Sequence, residues 1–374
     1  MANVIDTATD DLHMRRAIEL AERARGRTSP NPLVGAVVVK DGRVIGEGWH
    51  EGAGMPHAER EALTACAADP AGGTMYVSLE PCCHHGRTPP CTDAIVEAGI
   101  ARVVVGSDDP SEHASGRGLG ILRDEGVRVD VAAGAPAHDA RLINQPFRKH
   151  AKTGRPHVLF KSAMTLDGKA ATSTGDSQWI SGEQSRAMSH RWRAEVDAVA
   201  VGIGTALADD PLLTARIEAV TRQPARVVFD SEARLPAASQ LVRTARDVPL
   251  YLVCSRGASR ASTDALEAAG VEVIVAPGEN EGARVRSALS ELGARGIQSL
   301  LLEGGPHLAG AFLDSGEIDE VRLFVAPMLV GGRHARAPLE GQGVEAIDAA
   351  RRAISSEVER VHDDVLIRAR MTEW

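Results

Sequence analysis

The chain has 374 residues, a formal net charge of −9 and only 3% aromatic residues. This length predicts two domains, and the acidic charge argues against a general nucleic-acid binder, which needs a basic face to displace counterions from phosphates. The first residues include acids and lack an apolar stretch, so we expect no signal peptide. No run of about 18 apolar residues occurs, so we expect no membrane partner. We therefore expect a cytoplasmic protein.

The first half of the chain alternates helical and strand patterns. An amphipathic segment that ends at Gly26 predicts a helix with Asp10 or Asp11 as its N-cap, and two β-branched runs around Asp41-Gly42 predict a hairpin. Further helices and strands follow, giving the order αββαβαβαβ. Because such alternation places helices on both faces of a sheet, we expect an α/β domain.

The strand pattern lapses between Gly134 and Pro156, in a polar and basic segment. We place the domain boundary there, which gives domains 1–150 and 151–374. The second domain begins with HVLFKSAMTLDGKAATS, which predicts two strands around an Asp-Gly turn. A helix with Ser181 as its expected cap follows, and further apolar runs separated by helical stretches complete a second α/β domain.

Four of the five cysteines and three histidines lie between Pro56 and Cys91. An odd total of five cysteines, four of them clustered, argues against a disulfide framework, so we expect reduced thiols that serve a metal or chemistry. His57 precedes a predicted helix, Cys82 follows a strand, and Cys91 opens a helix, where the helix dipole favours the thiolate that binds Zn²⁺. One histidine and two thiolates leave the fourth tetrahedral position open for water, as in a catalytic zinc site.

Glu59 lies two residues after His57, in the H-x-E pattern of zinc-dependent nucleobase deaminases. It is the candidate to take a proton from water and deliver it to a leaving amine. The cysteine pair departs from the usual C-x-x-C pattern, because eight residues separate the two thiols. The alternative interpretation is a structural zinc clip or buried reduced cysteines. We expect Cys83 to be a bystander, and Cys66 and Cys254 to be core residues.

The motifs PHAE, LEPCCHHGRTPPC and SPNPLVGAVVVKDGRVIGEG resemble those of the bifunctional deaminase–reductase family of riboflavin biosynthesis, and the resemblance extends over nearly the whole chain. It implies a cytidine-deaminase-like α/β/α domain that uses zinc to deaminate 2,5-diamino-6-ribosylamino-4(3H)-pyrimidinone 5′-phosphate. It also implies a dihydrofolate-reductase-like α/β domain that uses NADPH to reduce the ribosyl group of 5-amino-6-(5-phosphoribosylamino)uracil to ribityl. The partners implied are small-molecule substrates and further copies of the chain, in a dimer or tetramer.

The resemblance also implies roles for residues of the first domain. It makes His57, Cys82 and Cys91 the zinc ligands and Glu59 the proton carrier. The substrate contacts that it implies are Asn31, His50, His84, Arg87 and Asp109. Ser111 stands where the family has an asparagine that contacts the substrate.

In the second domain the resemblance rests on KSAMTLDGKAATSTGDSQWIS, GIGTALADDPLLTAR, VVFDSEARLP, LLEGGPHLAGAF and APMLVGG. The glycine-rich turn before PHLAG could cradle a phosphate with its backbone N–H groups, and planar arginine donors suit a phosphate monoester. The implied substrate contacts are Ser177, Arg193, Leu213, Arg216 and Glu303. The implied NADPH contacts are Ala163, Trp179, Thr205, Asp209, Ser231, Gly305, Pro306, His307, Leu308, Ala309, Gly310 and Ala311.

Two other functions stay open on the residues alone. One is a nucleic-acid or nucleoside deaminase with an appended reductase-like domain, against which the acidic charge and the long cysteine spacer count. The other is a non-catalytic binding module stabilised by zinc, in which replacing Glu59 by glutamine would change nothing.

Overall fold

The computed structural model describes residues 7–84, 89–112, 114–218 and 220–374. The chain divides into two compact units, one formed by Met1–Thr153 with Trp374 and the other by Gly154–Glu373. Across the described ranges, every helix is too short or too polar to cross a membrane.

The elements of the first unit follow the predicted order αββαβαβαβ, with two further helices at the end. Its helices are α1 (Thr7–Glu22), α2 (Ala58–Thr64), α3 (Cys91–Glu97), α4 (Arg117–Asp124), α5 (Gly134–Leu142) and α6 (Gln145–Thr153). Its strands are β1 (Gly35–Lys40), β2 (Arg43–Trp49), β3 (Thr74–Val77), β4 (Arg102–Val105) and β5 (Arg128–Val131). They form a sheet in the order β2-β1-β3-β4-β5, in which β1 runs antiparallel to its neighbours and β3, β4 and β5 are parallel.

Helices cover both faces of this sheet, as the α/β prediction requires. Val37 and Val39 of β1 pack in one core with α1 and α5, while Ala36 and Val38 pack in the other with α2, α3 and α4. This alternation follows from the two-residue side-chain period of a strand. The Asp41-Gly42 hairpin is confirmed: both residues have positive φ (52° and 72°), as a type I′ turn needs.

The structure corrects the predicted start of α1. The helix begins at Thr7, so Asp10 lies in its first turn and neither Asp10 nor Asp11 is the N-cap. The Asp10 carboxylate instead accepts hydrogen bonds from Arg102 at 2.7 and 2.8 Å and from the Tyr76 hydroxyl at 2.7 Å. These long-range partners, which a local pattern does not reveal, occupy the oxygens that a cap would use.

The segment in which the strand pattern lapses is helical. It forms α5 and α6. The prolines do not prevent this, because Pro136 and Pro146 both lie in the first turn of their helices, where the missing N–H would have no intrahelical partner.

The second unit contains the remaining elements. Its strands are β6 (His157–Thr165), β7 (Ala198–Gly202), β8 (Ala225–Phe229), β9 (Leu250–Cys254), β10 (Glu272–Val275), β11 (Ser299–Glu303), β12 (Glu320–Ala326), β13 (Ser355–Val361) and β14 (Asp364–Arg370). Its helices are α7 (Glu183–Glu195), α8 (Ile203–Asp209), α9 (Gln240–Arg243), α10 (Arg260–Ala268), α11 (Glu281–Ala294) and α12 (Pro306–Asp314), with a 3₁₀ turn at Ile347–Ala349.

The described strands of this unit form one sheet in the order β10-β9-β8-β7-β11-β6-β12-β14-β13. The pairs from β10 to β12 are parallel, and β14 is antiparallel to both β12 and β13. Val199 and Val201 of β7 pack with α7 and α9, and Ala198 and Ala200 pack with α11 and α12. The predicted α/β class is therefore confirmed for both units.

Two local predictions for the second unit are wrong. The run after the turn at Gly168 is not a strand: β6 is an inner strand between β11 and β12, which leaves no edge for a hairpin partner. Ser181 is not the cap of α7, because Gly182 holds that position. The Asp364 carboxylate of β14 accepts from Gly182 N at 2.8 Å and from Ser185 Oγ at 2.5 Å, and so fixes the start of α7 against β14.

Candidate active sites

Three predicted metal ligands converge in the first unit. His57 is the N-cap residue of α2, Cys91 is the first residue of α3, and Cys82 lies between β3 and α3. His57 Nδ1 lies 3.4 Å from Cys82 Sγ and 3.3 Å from Cys91 Sγ, and all three donor atoms lie within 4.8 Å of one another. One nitrogen and two sulfur donors at this separation suit a tetrahedral Zn²⁺.

Backbone hydrogen bonds join the two ends of the long cysteine spacer. The Cys82 carbonyl accepts from Cys91 N at 3.0 Å and from Thr92 N at 3.3 Å, and Cys91 N also lies 3.3 Å from Cys82 Sγ. Arg60 of α2 donates to the carbonyls of Pro89 and Pro90, at 3.2 and 3.0 Å. These bonds bring the second thiol beside the first although eight residues separate them.

The electrostatics of the three donors fit a cation. Hydrogen bonding from Cys91, with that from His57, lowers the pKa of the Cys82 thiol to about 4. The same Cys82 thiolate, with burial, raises the pKa of Cys91, and it raises the pKa of His57. These shifts favour a thiolate on Cys82 and retention of the protons on Cys91 and His57. A divalent cation would take the place of those protons, as thiolate ligation requires.

Glu59 is buried beside this cluster, with a relative exposure of 3%. It is the second residue of α2 and interacts with the Cys91 side chain. Burial, followed by the charge on Cys82, raises the pKa of the Glu59 carboxyl to about 7. A carboxyl poised near neutrality can both accept and release a proton at working pH.

Asn31 and His50 stand next to the metal ligands. His50 Nδ1 donates to the Pro56 carbonyl at 2.9 Å, and burial lowers the pKa of His50, so the ring is neutral and Nε2 is an acceptor. Asn31 Nδ2 donates to that Nε2 at 3.0 Å. The rings of His50 and His57 meet edge to face, 5.5 Å apart. The tautomer of His50 therefore fixes the orientation of the Asn31 amide.

The other predicted substrate contacts of this unit lie on loops. Asp109 lies between β4 and α4, where its Oδ1 accepts from the backbone N–H of Ser111 at 2.8 Å. His84 is exposed two residues after Cys82. Arg87 lies outside the described residues.

The three cysteines outside the cluster differ in burial and in position. Cys254 ends β9 and is buried in the core, as predicted. Cys66 packs half-buried against the core just after α2, and its thiol donates to the Ala62 carbonyl at 3.3 Å. Cys83 is half-buried and does not belong to the metal cluster of the described residues.

The second unit contains a cleft of about 1320 Å³ at the carboxyl ends of its parallel strands, the usual place for ligands in such sheets. All five predicted substrate contacts line it: Ser177, Arg193, Leu213, Arg216 and Glu303. Of the predicted NADPH contacts, those lining it are Ala163, Trp179, Thr205, Asp209, Ser231, Gly305, Pro306, His307, Leu308 and Ala311. Ala309 and Gly310 face the interior instead, since Ala309 is fully buried and a Cβ on Gly310 would lie 2.2 Å from Glu340 O.

A bidentate ion pair lies in the wall of this cleft. Arg193 of α7 donates to the two oxygens of Glu303 at 2.8 and 2.7 Å, and also to the Thr214 carbonyl at 3.1 Å. Thr214 follows Leu213 in the loop that also carries Arg216. The pair therefore ties the end of β11 to the loop after α8.

The glycine-rich turn lies where β11 meets α12. Gly304 and Gly305 have φ of +76° and +79°, and Pro306 occupies the start of the helix. Only glycine adopts this backbone without strain, and the turn leaves the helix N-terminus facing the cleft. Such a terminus attracts phosphate through its backbone N–H groups and the helix dipole.

Two of the basic cleft residues that the sequence interpretation did not identify, Lys161 and His190, interact with Glu303. Lys161 of β6 pairs in register with Glu303 of β11, and burial lowers the pKa of its amine. His190 lies one turn before Arg193 on α7, and burial lowers its pKa too. Lys161 had a visible sign, because it directly follows the apolar run Val158-Leu159-Phe160 within a predicted strand.

The comparisons with known proteins match both units. Residues 7–107 match the family model described as the cytidine and deoxycytidylate deaminase zinc-binding region, and residues 156–367 match the RibD C-terminal domain. Among solved structures, RibD of Acinetobacter baumannii is 36% identical with a TM-score of 0.86, covering 98% of this chain and 100% of that one. A deaminase/reductase of Thermotoga maritima is 35% identical with a TM-score of 0.84, covering 98% and 99%.

The relatives also match over nearly their full length. The riboflavin biosynthesis protein RibD of Actinobacillus pleuropneumoniae is 42% identical over 366 residues, which are 98% of this chain and 96% of the relative. That of Escherichia coli is 38% identical over 370 residues, covering 96% and 98%. Because such similarity extends through the metal cluster and the cleft alike, the chain belongs to the RibD family of riboflavin biosynthesis proteins.

Proposed function

We propose that the first unit is a zinc-dependent hydrolytic deaminase of 2,5-diamino-6-ribosylamino-4(3H)-pyrimidinone 5′-phosphate, and that the second unit reduces the ribosyl group of the product to ribityl with NADPH. The chain is thus a bifunctional deaminase and reductase of riboflavin biosynthesis. A relative with the same two units is named diaminohydroxyphosphoribosylaminopyrimidine deaminase/5-amino-6-(5-phosphoribosylamino)uracil reductase. The observation that carries the proposal is the convergence of His57, Cys82 and Cys91 beside a buried glutamate, in a chain that also carries a reductase domain.

His57, Cys82 and Cys91 would hold Zn²⁺ through one nitrogen and two thiolates. When bound, the metal supplies a Lewis acid that brings the pKa of a water molecule towards neutrality. Glu59 accepts a proton from the attacking water on a carboxylate oxygen and then donates it to the leaving amine. Burial of Glu59 keeps this proton away from bulk solvent between the two transfers.

Asn31 and His50 would orient the pyrimidine substrate. Because Asn31 Nδ2 is engaged by His50, the amide oxygen of Asn31 is left to accept a hydrogen bond from the substrate. Asp109, His84 and Arg87 complete the proposed contacts, with the arginine suited to the phosphate.

In the second unit the glycine turn and the start of α12 would bind a phosphate group of NADPH, and the exposed indole of Trp179 offers a stacking surface. Arg193 and Arg216 would hold the phosphate of the substrate. When bound, the cofactor supplies the hydride. Lys161, half-buried in the cleft and in register with Glu303, would donate a proton to the substrate. We propose that the chain works as a homo-oligomer in the cytoplasm.

A coupled assay on the purified, zinc-loaded protein tests the proposal. The diaminopyrimidine ribotide should release ammonia with or without NADPH, and the deaminated product should support NADPH oxidation on its own. With the first substrate, ammonia release should precede NADPH oxidation. A zinc-loaded protein that releases no ammonia from this substrate, but does so from single-stranded RNA or a free nucleoside, would refute it.

A further inference from the structure

Glu80 is a buried carboxylate between strand β3 and the metal ligand Cys82. It is 4% exposed, and its own N–H donates to the Ser107 carbonyl at 2.9 Å. Its side chain accepts three backbone N–H groups from one distant loop. Oε1 accepts from Gly118 at 3.1 Å, and Oε2 accepts from Gly116 at 3.0 Å and from Asp109 at 3.4 Å.

This carboxylate supplies the capping hydrogen bond at the N-terminus of α4. Gly116 holds the N-cap position with φ of +83° and has no side chain, so it cannot supply the usual cap oxygen. Glu80 provides that oxygen from another segment, and its negative charge also complements the helix dipole. Gly118 allows the close approach, since a Cβ there would lie 2.3 Å from Pro81 O.

The loop that Glu80 holds is also fixed from its other side. Arg148 of α6 is buried, and its Nη1 donates to Ser107 Oγ at 3.0 Å and to the Asp108 carbonyl at 2.7 Å. Arg148 thus holds only the beginning of the loop. Glu80 holds its beginning and its end, and is itself two residues from a metal ligand.

We propose that Glu80 is a positioning residue of the deaminase site, which sets residues 107–112 and 114–118, and with them Asp109, against the segment that carries Cys82. The inference rests on the proposed function in one respect, the contact of Asp109 with the substrate. Glu80 is not a member of the donor cluster of the described residues. It holds three backbone N–H groups in one arrangement, so that the substrate meets a preformed site.

The test compares Glu80→Gln with the wild-type protein. The amide has the same shape, but in either orientation it directs an NH₂ group at a backbone N–H, so at least one of the three hydrogen bonds is lost. We expect the deaminase KM to rise about tenfold while kcat changes less than about threefold, the pattern of lost uniform binding. Zinc content and the reductase activity on the deaminated product should stay unchanged. Glu97→Gln, at an exposed glutamate of α3, is the matched control.

Hydrogen exchange gives a measurement that does not depend on the substrate. In Glu80→Gln the amide of either Gly116 or Gly118 should exchange at least about tenfold faster, because the NH₂ group replaces the acceptor of one of them. An unchanged KM, unchanged exchange, or equal losses of both enzyme activities would each overturn the proposal. If the wild-type protein released no ammonia, the proposed function would fall, while the exchange rates would still decide whether Glu80 fixes the loop.

Discussion

Replacing Glu59 by glutamine separates its role in proton transfer from its role in the fold. The two side chains have the same shape, so the buried pocket of Glu59 gains no cavity and the three ligand atoms keep their positions. The amide cannot carry a proton. One proton transfer by a positioned side chain contributes about 10²–10⁴ in rate, and because Glu59 carries the proton both ways, we expect kcat of the deaminase to fall by about 10⁴.

The same substitution should stabilise the metal-free protein. A carboxyl whose pKa rises from 4.5 to about 7 on folding binds its proton more tightly in the folded state. Stability is therefore lost as pH rises between these two values, by about 3 kcal/mol in full. The glutamine variant has no such loss. Its advantage in free energy of unfolding should approach that amount at pH 8 and disappear below about pH 4.5, with the pKa of the unfolded carboxyl.

The assay follows ammonia release, zinc content and reductase turnover in parallel, with thermal unfolding of chelator-treated protein at several pH values. Retained deamination in a folded, zinc-loaded Glu59→Gln protein would refute the assignment of the proton carrier. A stability difference that does not change with pH would refute the claim that burial of this carboxyl costs free energy. Loss of zinc would show that Glu59 supports the ligands and not only the chemistry.

Three further predictions concern other parts of the chain. Cys91→Ser should lose zinc, measured by metal analysis, and ammonia release, while NADPH oxidation with the deaminated product persists. Arg193→Met should leave Glu303 buried without its partner, lowering the free energy of unfolding by about 3 kcal/mol, and the reductase KM should rise at least about tenfold. Gly310→Ala should destabilise by about 1–3 kcal/mol in thermal unfolding, whereas Gly120→Ala, with open space around its Cβ, should be neutral or stabilising.

The parts that the sequence predicted are those that local chemistry determines. His57, Cys82 and Cys91 stood out because thiols and imidazoles are uncommon and their types match a metal. The strands were predictable from β-branched runs, and the Asp41-Gly42 hairpin from its turn residues. Each of these inferences needs only neighbours along the chain.

The parts that the sequence did not predict depend on contacts between distant residues. Asp10 lies inside the first turn of its helix, and its oxygens accept hydrogen bonds from Arg102, far along the chain. The sequence alone does not distinguish Glu80 from the other acidic residues, because its partners, the N–H groups of Gly116 and Gly118, lie far along the chain. A hairpin at the start of the second unit was plausible by pattern, and the placement of β6 inside the sheet excluded it. Residue propensities for helix or strand do not contain information on such long-range contacts.

The eight-residue spacer shows how a site can keep its geometry while its sequence pattern changes. The two sulfur ligands are set by the Cys82 carbonyl, which accepts the N–H groups of Cys91 and Thr92, and not by the number of residues between them. Doubling the length of a loop costs only about 0.6 kcal/mol in closure entropy, which a single backbone hydrogen bond offsets. Arg60 also holds the end of the spacer, by donating to the carbonyls of Pro89 and Pro90. The spacing that departs from the usual deaminase pattern is for this reason compatible with the same three-ligand zinc site.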